Sequence, residues 1–245
     1  MNLRSAPFQL ARLHLSAFAV LLLVPAIPAA AFHDSVPDWV RAAAAQTLPT
    51  YPAETNAVVL LDDTTYTVAP DGTAVEHYRR VVKILRPQGR EEGIVAVPFD
   101  KDTKILSFHV WSIGPDGHEY AVKDNEMVEY GYPGQGNFFE DDKVKAANAP
   151  GRDPGGVVAY EYEQRTHPFL TEKTWFFQSE LPHLNQSFTL VLPSGFTYGT
   201  VWRTAKRFQP STSSISVGDG SATIPRASTS IRYSLNLPER RWLAA

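Results

Sequence analysis

The stretch from Gly155 to Phe196, GGVVAYEYEQRTHPFLTEKTWFFQSELPHLNQSFTLVLPSGF, decides the fold. Val158, Tyr160 and Tyr162 alternate with Glu161 and Glu163, and in a strand successive side chains point to opposite faces. One face of this run is therefore apolar and set toward a core, and the other is acidic and set toward water. Two further runs, Thr174 to Gln178 and Ser187 to Leu192, carry the aromatic and β-branched residues that suit a pleated, half-buried surface. Proline and glycine punctuate the three runs, which read as strands joined by turns.

Outward from this stretch the same grammar continues. Ala57 to Leu61, Thr64 to Val68, Ala74 to Leu85, Ile105 to Ile113 and Glu119 to Val122 read as strands. The segments Pro70-Asp71-Gly72 and Gly114-Pro115-Asp116-Gly117 separate neighbouring runs, and Asp-Gly is a strong hairpin signal because glycine accepts the positive φ that the turn demands. Their flanks share little beyond alternation, so the two turns do not define an internal repeat. A short helix is expected from a Ser35 cap through Asp38, Trp39, Val40 and the alanine run to Gln46, with Pro37 tolerated in its first turn and the helix set against the sheet edge. Leu48 to Thr55 is an extended linker. The Gly/Pro-rich segment from Gly131 to Asn137 is a loop, and the serine- and threonine-rich tail after residue 210 has a composition that leaves its structure open.

The N-terminus addresses the chain. Arg4 and Arg12 lead into an apolar run from Leu15 to about Val24, and Ala29-Ala30-Ala31 supplies the small-x-small pattern of signal peptidase cleavage. A spanning helix needs about 20 apolar residues, and this run is shorter and broken by Pro25 and Pro28. The expectation is cleavage near Ala31 and a periplasmic or secreted product with no stable membrane anchor. Loss of residues 1–31 takes the 245-residue chain to 214, and loss of Arg4 and Arg12 takes the formal charge from −3 to −5. A mildly acidic surface argues against nucleic-acid binding, which needs clustered Lys and Arg. The chain has no cysteine, so disulfide staples and thiolate chemistry are excluded.

Catalytic patterns do not emerge from the remaining residues. No Gly-x-Ser-x-Gly elbow is present; Pro193-Ser194-Gly195 and Gly218-Asp219-Gly220-Ser221 read as turns. His77, His109, His118, His167 and His183 match no zinc spacing, and Glu140-Asp141-Asp142 lacks the alternating acids of a calcium loop. Glu161 and Glu163 share one strand face with Cα atoms about 6.6 to 6.8 Å apart; the spacing does not exclude glycoside hydrolysis, but an exposed polar face opposite Tyr160 and Tyr162 is far commoner in antiparallel sheets. Trp175, Phe176 and Phe177 have the rings for sugar stacking, but aromatic strand residues usually pack between sheets. No residue is therefore assigned a catalytic, cofactor-binding or metal-binding role.

The order Arg79-Arg80-Val81-Val82-Lys83-Ile84-Leu85, Gly89-Arg90-Glu91, Pro98-Phe99-Asp100, Gly114-Pro115-Asp116-Gly117-His118 and Pro154-Gly155-Gly156-Val157-Val158-Ala159-Tyr160-Glu161-Tyr162-Glu163 resembles DUF3857 across about residues 55–200. The resemblance implies an antiparallel β-sandwich module of the kind found N-terminal to a transglutaminase-like domain in exported bacterial proteins. It brings no functional residues. Transglutaminase-like chemistry needs a cysteine nucleophile, which this chain lacks. The segment from Thr223 to Ala245 also does not resemble the opening of such a domain, and truncation, a gene fragment or a shifted reading frame would each account for it.

The organisation expected is thus a signal peptide over 1–31, a short helix and linker over 32–54, an all-β sandwich over 55–210 and a tail over 211–245. The functional expectation is a non-catalytic accessory or interaction module whose partner is a transglutaminase-like domain or another exported protein. The alternative is a carbohydrate-binding or carbohydrate-processing sandwich, to be distinguished by an aromatic-lined groove with paired carboxylates.

Overall fold

A computed structural model describes residues 35–131, 142–167, 172–176, 179–194, 196–204, 212–217, 220–223 and 228–236. The expected signal peptide, the Gly/Pro-rich loop beyond Gly131, the acids Glu140 and Asp141, Phe177, and the Gly218-Asp219 part of its expected turn lie outside the described residues. Helix α1 spans Asp38–Ala44. The strands are β1 Ala57–Val68, β2 Ala74–Ile84, β3 Ile94–Phe99, β4 Thr103–Ile113, β5 Glu119–Ala121, β6 Val128–Gly131 and β7 Lys143–Asn148. They continue with β8 Val157–Thr166, β9 Glu172–Phe176, β10 Asn185–Val191, β11 Thr197–Thr204, β12 Thr212–Val217, β13 Gly220–Thr223 and β14 Ser228–Asn236.

An eight-stranded sheet in the order β13-β12-β10-β1-β2-β8-β4-β5 is the backbone of the fold. Two three-stranded sheets, β3-β7-β6 and β11-β14-β9, accompany it. The all-β sandwich read from the sequence is present, with one difference: β10 pairs in parallel with both β1 and β12, so the large sheet is mixed rather than antiparallel. Parallel neighbours need crossover connections, and the hairpin signals that dominate the sequence report only antiparallel neighbours. The tail whose composition left its structure open contributes β12, β13 and β14.

The hairpins form where glycine permits them. Gly72 and Gly117 take φ of 86° and 82°, and each donates its N–H back across the turn, to the Ala69 and Gly114 carbonyls respectively. Asp71 and Asp116 accept from the backbone N–H two residues on, at Thr73 and His118, the local hydrogen bond for which aspartate is favoured in turns.

The large sheet has an inner and an outer face. On the inner face Val158, Phe108 and Val110 pack against Val95, Val97 and Ala147 of the small sheet β3-β7-β6. On the outer face Val40 and Ala43 of α1, with Val36 before it, pack against Val58, Leu60, Val81, Trp111 and Ala159. The helix thus lies over the central strands β1, β2, β8 and β4, not at the sheet edge. A helix of seven residues is too short to persist alone in water, so this 36/40/43 stripe holds it in place by burial. Pro37 rather than Ser35 occupies its N-cap, and no side chain caps it. Because β1 is covered on both sides over Ala57 to Leu60, that segment is buried at every position, as expected for a strand with both faces covered.

Candidate functional site

β1 runs unbroken through Asp62 and Asp63, where the sequence reading placed a gap between two strands. A register shift between Val59 and Leu61 absorbs one residue and sets Asp62, Thr64 and Tyr66 on the inner face. Directly across on β2 stand Arg80, Tyr78 and Glu76, and beyond them on β8 stand Tyr160, Tyr162 and Gln164. On the other side of β1, Gln186 and Phe188 of β10 pair with Asp62 and Thr64. Cross-strand partners share a face, so the chain of pairings gathers acid, guanidinium, amide and phenols on one buried surface.

These groups border a cleft of about 310 Å³. Asp62 and the rings of Tyr78, Tyr160 and Tyr162 form one wall, β3 contributes Val97 and Pro98, and Trp175 and Phe176 of β9 close the other side. The aromatic rings are in mutual contact: Tyr78 stacks on Tyr162 with centroids 5.1 Å apart, and Trp175 lies 6.4 Å from Tyr78 and 5.1 Å from Phe188. Phe176 remains 63% exposed. The Tyr162 hydroxyl donates to Glu76 Oε1 at 3.0 Å. Burial pushes all three phenols up, so they remain protonated hydrogen-bond donors at neutral pH.

Asp62 is only 5% exposed. Burial pushes its carboxyl up to about 6, against the opposing pull of the Arg80 charge and the Tyr78 hydroxyl. Its Oδ1 has no hydrogen-bond partner, and neither do Thr64 Oγ1, Arg80 Nε or Gln186 Oε1 behind it. Buried polar atoms normally find partners, so an Asp62 oxygen without one, with three more such atoms on neighbouring residues, marks a place where water or ligand completes the network. His183 Nδ1 lies 3.6 Å from Asp62 Oδ2. Burial and the nearby Arg80 hold this histidine down to about 4, so at neutral pH it is uncharged and the contact is not an ion pair.

The outer face carries a different polar group. Glu161 accepts from Arg79 Nε at 3.0 Å and from His77 Nε2, and Arg79 sits over the Trp39 ring at 5.3 Å. Although burial opposes its charge, the His77 and Arg79 hydrogen bonds hold Glu161 down to about 2. The alternation read from the sequence is present, since Tyr160 and Tyr162 share one face with Glu161 and Glu163 opposite. Glu161, however, is not a solvent-facing residue: its side chain is 16% exposed. A carboxylate held this low is a poor proton donor, and the aromatic cleft lies on the other side of the sheet. The juxtaposition of paired acids with aromatic platforms that glycosidase chemistry needs is absent from Glu161 and Glu163.

The histidines are dispersed. His109 stacks on Trp111 at 5.7 Å, His118 meets Tyr120 edge-on at 4.5 Å, and His167 contacts Thr73 Oγ1. Among the described residues no group of three His, Asp or Glu side chains is placed to hold a metal ion. Among the same residues no helix is long and apolar enough to cross a membrane. Sequence reasoning missed Asp62, Thr64, Arg80 and Gln186 as a group. The period-two order Asp62, Thr64, Tyr66 was the available signal, and the adjacent Asp62-Asp63 pair obscured it.

A third surface is apolar. In the sheet β3-β7-β6 the cross-strand rows are Ala96, Ala146 and Val128, then Pro98, Val144 and Tyr130. These rows face away from Val95, Val97 and Ala147, which pack inward; their middle members Val144 and Ala146 are buried, at 3% and 5% exposure. Ile94 and Val128 are each 57% exposed and Tyr130 47%.

A mixed eight-stranded sheet flanked by two smaller ones, with a buried polar cleft between layers, defines a β-sandwich domain. The family model of DUF3857, a domain of unknown function with a solved structure, matches residues 70–224, and the chain belongs to this family. The sequence matches no curated protein. Among solved structures, a candidate protease from Parabacteroides distasonis superimposes with a TM-score of 0.51 at 11% identity, over 78% of this chain and 38% of that one. An M1 zinc metallopeptidase from Deinococcus radiodurans gives 0.34 at 11% identity over 74% and 43%. A CBM3a-L domain from a Clostridium thermocellum scaffoldin gives 0.26 at 12% identity over 48% and 71%. The first of these establishes likeness of fold alone, and the chain spans well under half of its length.

Proposed function

We propose that the chain is an exported, non-catalytic accessory module that docks against a transglutaminase-like domain through the outer face of the sheet β3-β7-β6. The observation that carries this reading is the exposure of Ile94, Val128 and Tyr130 together on one apolar surface. Large contiguous apolar patches are uncommon on self-contained domains and mark interaction surfaces. Interfaces between neighbouring domains typically bury about 600 to 1,500 Å².

The choice of partner follows the family resemblance. Export follows from the basic, apolar and Ala29-Ala30-Ala31 segments. The missing cysteine leaves the acyl-transfer nucleophile to the partner.

Co-expression of the exported chain with transglutaminase-like domains from its own genome, followed by sedimentation analysis, tests the reading. A complex should form, and Val128→Glu combined with Tyr130→Ser should weaken it by about tenfold or more, equivalent to about 1.4 kcal/mol. Failure of every such domain to associate would overturn it. So would peptide cleavage or cross-linking by this chain alone that a single substitution abolishes.

A further inference from the structure

We propose that the cleft beside Asp62 is a binding site for a neutral saccharide, with a sugar ring lying on the Trp175–Phe176 side and a hydroxyl donating to Asp62 Oδ1. This goes beyond the docking role and stands on different residues.

The first ground is the unfilled hydrogen-bonding capacity. Asp62 Oδ1 is a buried acceptor without a partner, and Asp62 lines the cleft beside the phenols of Tyr78, Tyr160 and Tyr162. Hydroxyl groups both donate and accept, so a hydroxylated molecule, directly or through ordered water, supplies the donor that Asp62 Oδ1 lacks. A ligand with only acceptors would not.

Charge is the second ground. Asp62 lies directly across the strand pair from Arg80, whose guanidinium stays protonated. Arg80 also meets Glu92 at 3.5 Å, so its positive charge is shared between two carboxylates; the cleft therefore carries no excess positive charge that would draw an anion. Burial of Asp62 also makes its free oxygen costly to leave unpaired.

Shape is the third. Phe176 leaves 63% of its surface exposed at the cleft mouth, although its neighbour Trp175 packs inward on Phe188 and Tyr78. An aromatic ring left open beside buried polar groups presents an apolar platform and a polar floor, the two surfaces a sugar ring offers in return. The volume of about 310 Å³ lies at the small end of the range of about 300–1,000 Å³ for small-molecule pockets. It therefore suits a mono- or disaccharide unit rather than a long chain.

The test is calorimetric and fluorescence titration of the mature exported chain with glucose, N-acetylglucosamine, cellobiose and maltose, and with tetramethylammonium as a cationic probe. At least one sugar should bind in the millimolar range or tighter. Asp62→Asn and Phe176→Ala should each weaken it by about tenfold, or about 1.4 kcal/mol. Phe176 is exposed, so its variant tests the site even if Asp62→Asn fails to fold. No binding by any sugar, binding of tetramethylammonium in preference to the sugars, or sugar binding that Phe176→Ala leaves unchanged would each overturn the proposal. None of these outcomes touches association through Val128 and Tyr130, so the two readings fail separately.

Discussion

Asp62 and Glu161 stand on opposite faces of the same sheet, both largely withdrawn from water, and their titrations are displaced in opposite directions. Glu161 is matched by Arg79 and His77 and is held down to about 2; Asp62 keeps an oxygen without a partner and is pushed up to about 6. Burial disfavours a charged carboxyl in both places, and hydrogen bonds to the charged form decide the outcome. The outer group is a completed structural joint under the Trp39 edge of α1. The inner group is unfinished, which is why the cleft rather than the Glu161 face is the candidate site.

The largest effect expected from this contrast is at Arg80, the charge that makes a buried Asp62 tolerable. Arg80 acts on Asp62 through its charge and also meets Glu92 at 3.5 Å, so Arg80→Met should lower stability by about 3 to 5 kcal/mol, as removal of the cation from a largely buried charge cluster does. Arg80→Met combined with Asp62→Leu should recover most of that loss. Urea unfolding measures both, at a pH well above the Asp62 titration. Simple additivity of the two substitutions would show that the residues are not coupled.

A second test uses pH. Because the folded state raises the Asp62 pKa from 3.8 to about 6, it binds the proton more tightly than the unfolded chain does. The contribution of Asp62 is therefore fully present below its unfolded value and is lost as pH rises through about 6, by roughly 3 kcal/mol at about 1.36 kcal/mol per unit. His183, held down to about 4, works in the opposite direction, losing stability as pH falls from its ordinary value toward 4. The absolute curve thus conceals both effects, whereas the difference between wild type and Asp62→Asn isolates the first. That difference should change by roughly 3 kcal/mol between pH above about 6 and pH below about 4. A flat difference would mean that Asp62 is hydrated, and the contrast with Glu161 would fall.

Glu161→Gln comes next, at about 1.5 to 3 kcal/mol, the range for hydrogen bonds to charged groups. A Glu161 wholly in water, as alternation alone implies, would give at most about 0.5 kcal/mol. The stability contributed by Glu161 should be present above its unfolded pKa of 4.5 and lost as pH falls toward 2. Equal unfolding curves for wild type and Glu161→Gln at neutral pH would show that Arg79 and His77 do not hold it.

The same contrast explains what was legible in the sequence. Strands β2, β4 and β8 announce themselves because alternation is local, and the Asp-Gly turns fix their antiparallel neighbours. The faces of Tyr160 and Glu161 follow from that period. What covers a face does not: the partners of Glu161 come from β2, more than eighty residues away, and α1 returns over the middle of the sheet. β12 to β14 are composed like loops and become strands through pairing, β12 with β10, β13 with β12 and β14 with β9. Asp62 was hidden for a related reason. Asp is depleted in strands, so Asp62-Asp63 reads as an interruption until the register shift at Val59/Leu61 and the Arg80 partner are seen together.

The smallest expected effect separates packing from recognition at the cleft. If Phe176 served the core, its truncation would cost several kcal/mol, as large aromatic truncations do. Its 63% exposure instead places Phe176→Ala within about 0.5 kcal/mol of wild type, the range of surface substitutions. An aromatic residue at a cleft mouth that contributes this little to stability is free to serve a ligand. Thermal and urea unfolding should therefore superimpose for wild type and variant, while sugar titration separates them. A loss of more than about 2 kcal/mol, the scale of a core truncation, would place Phe176 in the packing of the sandwich. It would leave Asp62 as the cleft's only distinguishing group.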